Sequence, residues 1–427
     1  MEDGHAHLAL AEKLYPICRS ITGDGVRESL EIIREIIPIE IQEVPTGTVV
    51  FDWSVPQEWN IKDAWIKDKT GKKIVDFKAH NLHILNYSVP ISGVFTLEEL
   101  KEHLYTLPDQ PHLIPYRTSY YRSNWGFCIT HDLLMSLSDG SYEVFIDSTL
   151  EDGHLSYGEL LIPGQEDDEI LFTAHVCHPS LANDNLSGIS VITHLANRLI
   201  SEVNRYSYRF LFIPGTIGSI SWLALNEANL HRIKGGLVAS LLGDSAPFHF
   251  KKSRKGDSEL DRVVIHALRH SGHAYEVLEF IPYGYDERQF CSPGINLAVG
   301  NLTRSTYGSF PEYHTSADDL GLISQVEMER SLKVYEEVVK ILEGNRYYLN
   351  LNPKCEPQLG KRGLYQAIGG ESDKNGLQLA MLWVLNYSDG SHSLLDIATK
   401  SDIKFEIIAK ACSYLQRHKL LEVKPNS

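Results

Sequence analysis

At 427 residues the chain exceeds the size at which a single core usually stops growing, so two or three domains are expected. Its 43% hydrophobic and 22% charged residues suit an ordinary soluble enzyme, and a formal charge of −16 argues against nonspecific nucleic-acid binding, which relies on a positive surface. Six cysteines (Cys18, Cys128, Cys177, Cys291, Cys355, Cys412) show no CxxC or paired spacing, which speaks against a disulfide framework and for a reducing cytoplasm. The acidic N-terminus has no apolar leader core, and no apolar run approaches the ~20 residues of a membrane span, so neither a signal peptide nor a membrane is expected.

In chain order, residues 5 to 40 read as two helices separated by the turn Thr22-Gly23-Asp24-Gly25. Val26, Leu30, Ile33, Ile36 and Ile37 repeat at three and four and predict an amphipathic face that covers a sheet. From about Ile39 to Ile162 short apolar or alternating runs are broken by turns, with a hairpin expected at Asp68–Lys72 and a short helix over Thr96–Tyr105. The aromatic stretch with Tyr116, Tyr120, Tyr121 and Trp125 reads first as a packed cluster, with a substrate-lining wall as the alternative.

From Asp168 to Gly344 strands and helices alternate. Strands are expected at Ile170–Val176, Tyr208–Ile213, Gly236–Leu242, Tyr275–Ile281 and Asn296–Val299. Helices are expected at Ile189–Val203, Ser219–Ala228, Ser258–His270 and Val326–Leu342, the last introduced by the capping box Ser324-Gln325-Val326-Glu327. Such alternation implies a largely parallel sheet with helices on both faces. Two prolines, Pro353 and Pro357, then mark a linker. Helices at Leu377–Leu385, from Ser393 and at Lys404–His418, followed by Leu420–Val423, fit a winged helix-turn-helix. Its third helix mixes Lys404, Lys410 and Arg417 with Glu406, which favours a docking or dimerisation module over a DNA reader.

The stretch Ile170–Gly188, ILFTAHVCHPSLANDNLSG, reads as a strand, a loop rich in ligand-type side chains and a helix start. Sites of open α/β sheets gather at such strand ends. His175 and Asp184 lie nine residues apart on this loop, and a second loop, Phe310–Asp319, offers His314. Zinc takes histidine nitrogen and carboxylate oxygen, and a catalytic site keeps a position open for water. His175, Asp184 and His314 are therefore candidate ligands of one zinc ion, although 19 histidines make chance pairs expected.

HVCHPSLANDNLSG resembles the metal loop of the aminopeptidase-like zinc exopeptidases, in which a His and, further on, an Asp before Ser-Gly bind metal. PEYHTSADD resembles that family's late histidine motif, and Tyr285–Phe290 followed by Pro293-Gly294-Ile295 resembles its Asp-containing segment. The three motifs stand in the family's order over Asp168 to Gly344. The whole chain resembles a bacterial subgroup of aminopeptidase-like proteins. The resemblance implies an α/β fold of the zinc-exopeptidase type, a mixed sheet flanked by helices, over residues 1–40 and 115–350. An inserted β-rich subdomain (41–114) and a winged helix-turn-helix (355–427) complete it.

Where two-zinc members carry a Glu-Glu pair, this chain reads Ile213-Pro214-Gly215-Thr216-Ile217-Gly218-Ser219. The Asp usually two after the first histidine is Cys177, and a further ligand Asp has only the displaced Asp244 as its counterpart. One zinc ion is therefore expected, on His175, Asp184 and His314. Cys177 or His178 could replace a missing ligand. Glu312 is the candidate general base, or else a residue that orients a ligand; Asp244 and Asp286 are its rivals. Asp286, Arg288 and Tyr313 are the candidate substrate-binding residues, with a structural ion pair as the bland reading of Arg288. The function expected is a single-zinc metallohydrolase of the aminopeptidase type that cleaves an amide in a peptide or small molecule. An amide-bearing sugar is compatible with the aromatic residues. The alternative is a non-catalytic binding protein on the same fold, with the winged helix as its docking module and homo-oligomerisation open.

Overall fold

The computed structural model describes residues 6–364 and 376–424. The chain divides into two compact units: Met1–Ser258 with Ala274–Lys333, and Glu259–His273 with Val334–Ser427.

The first unit is built on an eight-stranded mixed sheet. Its strands are β1 (Glu40–Pro45), β2 (His154–Ile162), β3 (Glu169–His175), β4 (Ser207–Ile213), β5 (Ile233–Ala239), β6 (Phe248–Lys251), β7 (Tyr275–Leu278) and β8 (Val299–Thr303). They lie in the order β1-β2-β4-β3-β5-β8-β6-β7. β4, β3, β5 and β8 are parallel, whereas β1, β2 and β6 pair antiparallel with neighbours. Every residue of β3 is buried, as expected of a continuous apolar strand covered on both faces. His175 pairs with Ile213 at the carboxyl ends of β3 and β4, so the loops after them open on one edge. Helix Gly188–Leu199 packs on β3 and helix Asp24–Arg34 on β2, so the amphipathic face read from Val26, Leu30 and Ile33 covers a sheet.

Two strands depart from the expected spans for local reasons. The strand expected at Asn296–Val299 begins at Val299, because Asn296 has a φ of 52°, in the left-handed region that a pleated strand does not use. The strand from Tyr275 stops at Leu278, short of Pro282, which cannot donate to a ladder. The Ser324 cap is half of the expected box. Ser324 Oγ accepts from Glu327 N at 3.2 Å, but the Glu327 carboxylate pairs instead with Arg304 and Arg330 at 2.7 and 2.6 Å.

The β-rich stretch forms its own four-stranded antiparallel sheet, ordered Lys73–Asp76, Glu58–Lys67, Ser141–Glu151, Ile91–Thr96. The hairpin at Asp68–Lys72 is present, with Asp68 Oδ1 accepting from Thr70 N and Lys72 N. Trp59 of this sheet and Leu171 and Leu211 of the large one belong to a single buried core. The turn at Thr22–Gly25 ties the two sheets: Thr22 Oγ1 accepts from Trp59 N at 3.0 Å and bonds the Tyr87 hydroxyl at 2.6 Å. Gly23 has a φ of 97°, and a Cβ there would lie 2.2 Å from the Trp59 carbonyl oxygen.

In the second unit, strand Tyr347–Asn350 lies between Asp389–Ser393 and Leu421–Val423, antiparallel to both. With helices Leu377–Tyr387, Leu394–Ser401 and Phe405–Arg417 this is the expected winged helix-turn-helix. Ser393 and Asp396 form a complete capping box at the second helix. Among the described residues no helix is long and apolar enough to cross a membrane.

Gly23→Ala forces a side chain into a left-handed backbone position that is already in contact with another chain segment. It should lower the urea midpoint by the equivalent of about 1–3 kcal/mol, measured by denaturation followed through tryptophan fluorescence. An unchanged midpoint would mean that the turn relaxes freely.

Candidate metal centre

Asp184 is 1% exposed and lies in the kinked segment Ala182–Ser187 that precedes helix Gly188–Leu199. Its two oxygens meet two imidazoles: Oδ1 lies 2.8 Å from His175 Nε2, and Oδ2 lies 3.0 Å from His314 Nε2. The sequence-derived ligands, 130 residues apart at their widest spacing from Asp184, thus share one carboxylate. His178 Nε2 stands 3.9 Å from the same Oδ2, and ligand atoms of His175, His178 and Asp184 all lie within 4.8 Å of one another. The sequence offered His178 only as a substitute for a missing ligand; the fold places it in the cluster.

The electrostatics suit a cation. Although burial pushes the Asp184 carboxyl up, His178, His175 and His314 together hold it well below the usual range. Burial drives His178 well below its ordinary value, and its histidine and Arg19 neighbours act the same way, while Asp184 opposes them. A carboxylate and a neutral imidazole are the protonation states that bind a metal. Burial pushes the Cys177 thiol up to about 12 although Tyr285 pulls the other way, which keeps it a thiol rather than an activated nucleophile when no metal ion is bound.

The loop is braced from both ends of the chain. Asp318 accepts hydrogen bonds from the backbone N–H of Asn183 at 2.6 Å and of Asp184 at 3.0 Å. Arg19, fully buried, donates to the carbonyls of His178 (2.8 Å) and Leu14 (2.5 Å). Asn185 Nδ2 stands 3.3 Å from His175 Nδ1 and limits the tilt of that ring. Asp244, one of the rival bases, is engaged elsewhere: its oxygens accept from Asn183 Nδ2 (2.6 Å) and Ala246 N (2.8 Å).

Aromatic rings wall the cluster. Tyr116 contacts both His178 and His314 with centroids 5.1 Å apart, so part of the aromatic stretch lines the site while Tyr120 packs on Tyr87. Tyr313 stacks on His314 at 4.0 Å, and Tyr285 lies 4.0 Å from the His175 ring. Glu312 is half-buried two residues before His314, and among the described residues its carboxylate has no hydrogen-bond partner. Asp286 sits behind Tyr285; its Oδ1 accepts from Ser219 Oγ at 2.8 Å and its Oδ2 is buried without a partner among the described residues. Arg288 Nε is likewise buried without a hydrogen bond among those residues.

The stretch 213–219, where the resemblance led one to look for an acidic pair, leaves little room for a side chain at Gly215. A Cβ on Gly215 would lie 2.0 Å from Tyr285 Cε1 and 2.3 Å from its hydroxyl. The tyrosine ring fills the room that a side chain at Gly215 would need. Its hydroxyl lies 3.2 Å from Cys177 Sγ, which also accepts from Gly215 N at 3.3 Å.

Sequence motifs could have flagged His178 and Asp318, which lie inside the quoted stretches. Arg19 carries no local signal, and Tyr285, although it opens a quoted stretch, takes its place over Gly215 from packing, because these contacts join segments about 160 and 70 residues apart.

Sheet order, loop placement and cluster put this chain in the class of proteins with an aminopeptidase-like α/β fold. A family model described as a domain of unknown function, DUF4910, matches residues 8–345, and a winged helix-turn-helix model matches residues 346–423. The chain belongs to the DUF4910 family and carries a C-terminal winged helix-turn-helix. It is 54% identical over 422 residues, 99% of this chain and 97% of the relative, to a Clostridium acetobutylicum protein named for polysaccharide biosynthesis and an aminopeptidase-like domain. A crystal structure of a candidate peptidase from the same organism superposes with a TM-score of 0.94 at 52% identity, covering 99% of this chain and 97% of that one. The zinc aminopeptidase of Bacillus subtilis shares the fold with a TM-score of 0.57 at 14% identity, over 79% of this chain and 95% of that one. A Peptidase M28 precursor from Shewanella amazonensis does so with 0.56 at 12%, over 79% and 93%.

Two outcomes test this geometry. Gly215→Ala should destabilise the protein by roughly 1–3 kcal/mol through overpacking against Tyr285, and the cost should largely disappear in a Tyr285→Ala background, a non-additivity read by a double-mutant cycle. Burial raises the Asp286 carboxyl to about 7 from an ordinary 3.8, with Ser219 opposing the shift. The folded state therefore holds this proton more tightly than the unfolded one. Its contribution to stability is complete below the unfolded value and is lost as pH climbs toward 7. Asp286→Asn should gain on the parent by up to about 1.4 kcal/mol per pH unit across that window, measured by urea unfolding at several pH values.

Proposed function

We propose that this protein is a single-zinc hydrolase of the aminopeptidase type that cleaves an amide bond. One observation carries the reading: the buried Asp184 carboxylate holds His175 and His314 on its two oxygens, with His178 3.9 Å away. His175, Asp184 and His314 are the proposed ligands, with His178 available to complete the set. A zinc ion there would polarise a carbonyl and lower the pKa of a water molecule. One ion rather than two is supported by Tyr285, whose ring fills the space beside Gly215.

The protein's own groups supply the rest. Glu312 is the proposed proton acceptor, supported by its half-buried position beside His314 and by a carboxylate with no partner among the described residues. Tyr313 and Tyr116 pack on the histidines and narrow the approach of water and substrate. Asp286 and Arg288 share a buried segment in which each keeps an unpartnered polar atom, a property suited to orienting a substrate carboxyl or amide. The substrate is a peptide or an amide-bearing small molecule. The relative named for polysaccharide biosynthesis supports an amide carried on a sugar. We place the protein in the cytoplasm, in keeping with its unpaired cysteines, and assign the winged helix a protein-docking or dimerisation role.

A second reading has its own support. With Gly215 and Ser219 in the stretch where a two-zinc enzyme carries acids, the fold could bind its ligand without turnover. The two readings separate by experiment. Purified protein should contain close to one zinc per chain, His314→Ala and Asp184→Asn should lose it, and aminoacyl amides should be hydrolysed in a chelator-sensitive way. Glu312→Gln should keep the metal and lose turnover. Metal retained by both ligand variants would overturn the ligand set. Metal bound without hydrolysis of any amide would favour the binding protein.

A further inference from the structure

Two rings from His175, on the far side of Tyr307, lies a cavity of about 190 Å³ to which the proposed chemistry assigns no role. Tyr307 stacks on Tyr285 with centroids 5.8 Å apart, and Tyr285 in turn lies 4.0 Å from His175. The cavity is lined by Lys251 of β6, Asn301 and Thr303 of β8, Leu278 of β7, and the rings of Tyr283 and Tyr307.

Its Lys251–Glu287 charges cancel, and His249, which also lines it, is engaged with the Arg304 carbonyl. Glu287, fully buried, pairs with Lys251 and accepts from Tyr285 N at 3.1 Å and Asn301 Nδ2 at 3.3 Å. Lys251 Nζ also donates to the Tyr283 carbonyl at 2.7 Å. A bound ion of either sign would have to compete with this pair, so the wall suits an uncharged ligand.

Asn301 supplies the specific signal. It is 3% exposed, and its Nδ2 donates to Glu287 and to the Tyr307 hydroxyl at 3.2 Å. Asn301 lines this cavity, and its Oδ1 is buried and has no hydrogen-bond partner among the described residues. A buried carbonyl oxygen without a donor is unfavourable, and a ligand hydroxyl would relieve it. Thr303 adds a hydroxyl on the same strand, while Tyr307 and Leu278 offer apolar surface.

We propose that this cavity is a subsite for a neutral hydroxylated ring of the sugar class, with a ring hydroxyl donating to Asn301 Oδ1 and an apolar face against Tyr307. The proposal rests on the hydrolase reading only for what it adds to it: the ring is a distal part of the substrate, held apart from the cleaved amide by Tyr285 and Tyr307. The aromatic wall from Tyr307 through Tyr285 to His175 separates the two sites by the width of two rings.

The test is titration of the full-length protein with N-acetylglucosamine, with leucinamide as the charged, apolar comparison, followed by calorimetry with chelator present throughout. N-acetylglucosamine should bind, and leucinamide should bind about tenfold more weakly or not at all. Asn301→Leu should weaken sugar binding about tenfold. Thr303→Val, which leaves the partners of Glu287 in place, is the second variant and should weaken it severalfold, so the proposal stays testable if Asn301→Leu does not fold. No binding of the sugar, a preference for leucinamide, or wild-type affinity in the folded variants would overturn the subsite. Zinc analysis on the same preparation keeps the two readings apart. Zinc uptake without sugar binding removes the subsite alone, and sugar binding without zinc uptake removes the hydrolase alone.

Discussion

A carboxylate buried to 1% exposure cannot be left without compensation, and the architecture of the first unit answers that demand at Asp184. Two imidazoles meet its oxygens, and a third stands 3.9 Å away. The peptide N–H groups of Asn183 and Asp184 are fixed by Asp318, and the His178 carbonyl by Arg19. Each brace comes from a different segment, so the cluster exists only when the N-terminal helices, the β3 loop and the loop before helix Gln325–Gly344 are all in place. Folding and ligand geometry are thereby one problem.

At Gly215 the backbone is packed too closely against an aromatic ring to carry a side chain without movement. The sheet and its loops match those of aminopeptidase-like proteins, yet the ring of Tyr285 lies where a side chain at residue 215 would stand. Tyr285 contacts His175 on one side and Tyr307 on the other, so the same ring bounds the metal cluster and the neutral cavity. Its phenol is held well above its ordinary value by burial, reinforced by Cys177 and Asp286, and stays protonated as a wall rather than acting as a base.

The winged helix-turn-helix has an independent logic. Its second helix is capped locally by Ser393 and Asp396, and its core residues Leu385, Ile397, Phe405 and Leu415 come from its own segments. The third helix keeps the mixed charge of Lys404, Glu406, Lys410 and Arg417.

What the sequence determined by itself was whatever depends on local order. The period of apolar residues gave the alternating strands and helices, with ends displaced at Asn296, before Pro282, and at Gly236–Leu242, where the strand runs Ile233–Ala239, while the helices expected at Ile189–Val203 and Ser219–Ala228 run Gly188–Leu199 and Ile217–Leu225. Motif order brought His175, Asp184 and His314 forward as one group, since a strand-end loop presents its side chains toward one edge of a parallel sheet. Tertiary structure alone decided the rest. It set His178 near Asp184, placed Arg19 under the loop, fixed Asp244 in bracing hydrogen bonds and brought Tyr285 over Gly215. These depend on distances between residues far apart in the chain, which packing sets and which no local pattern of residue types records.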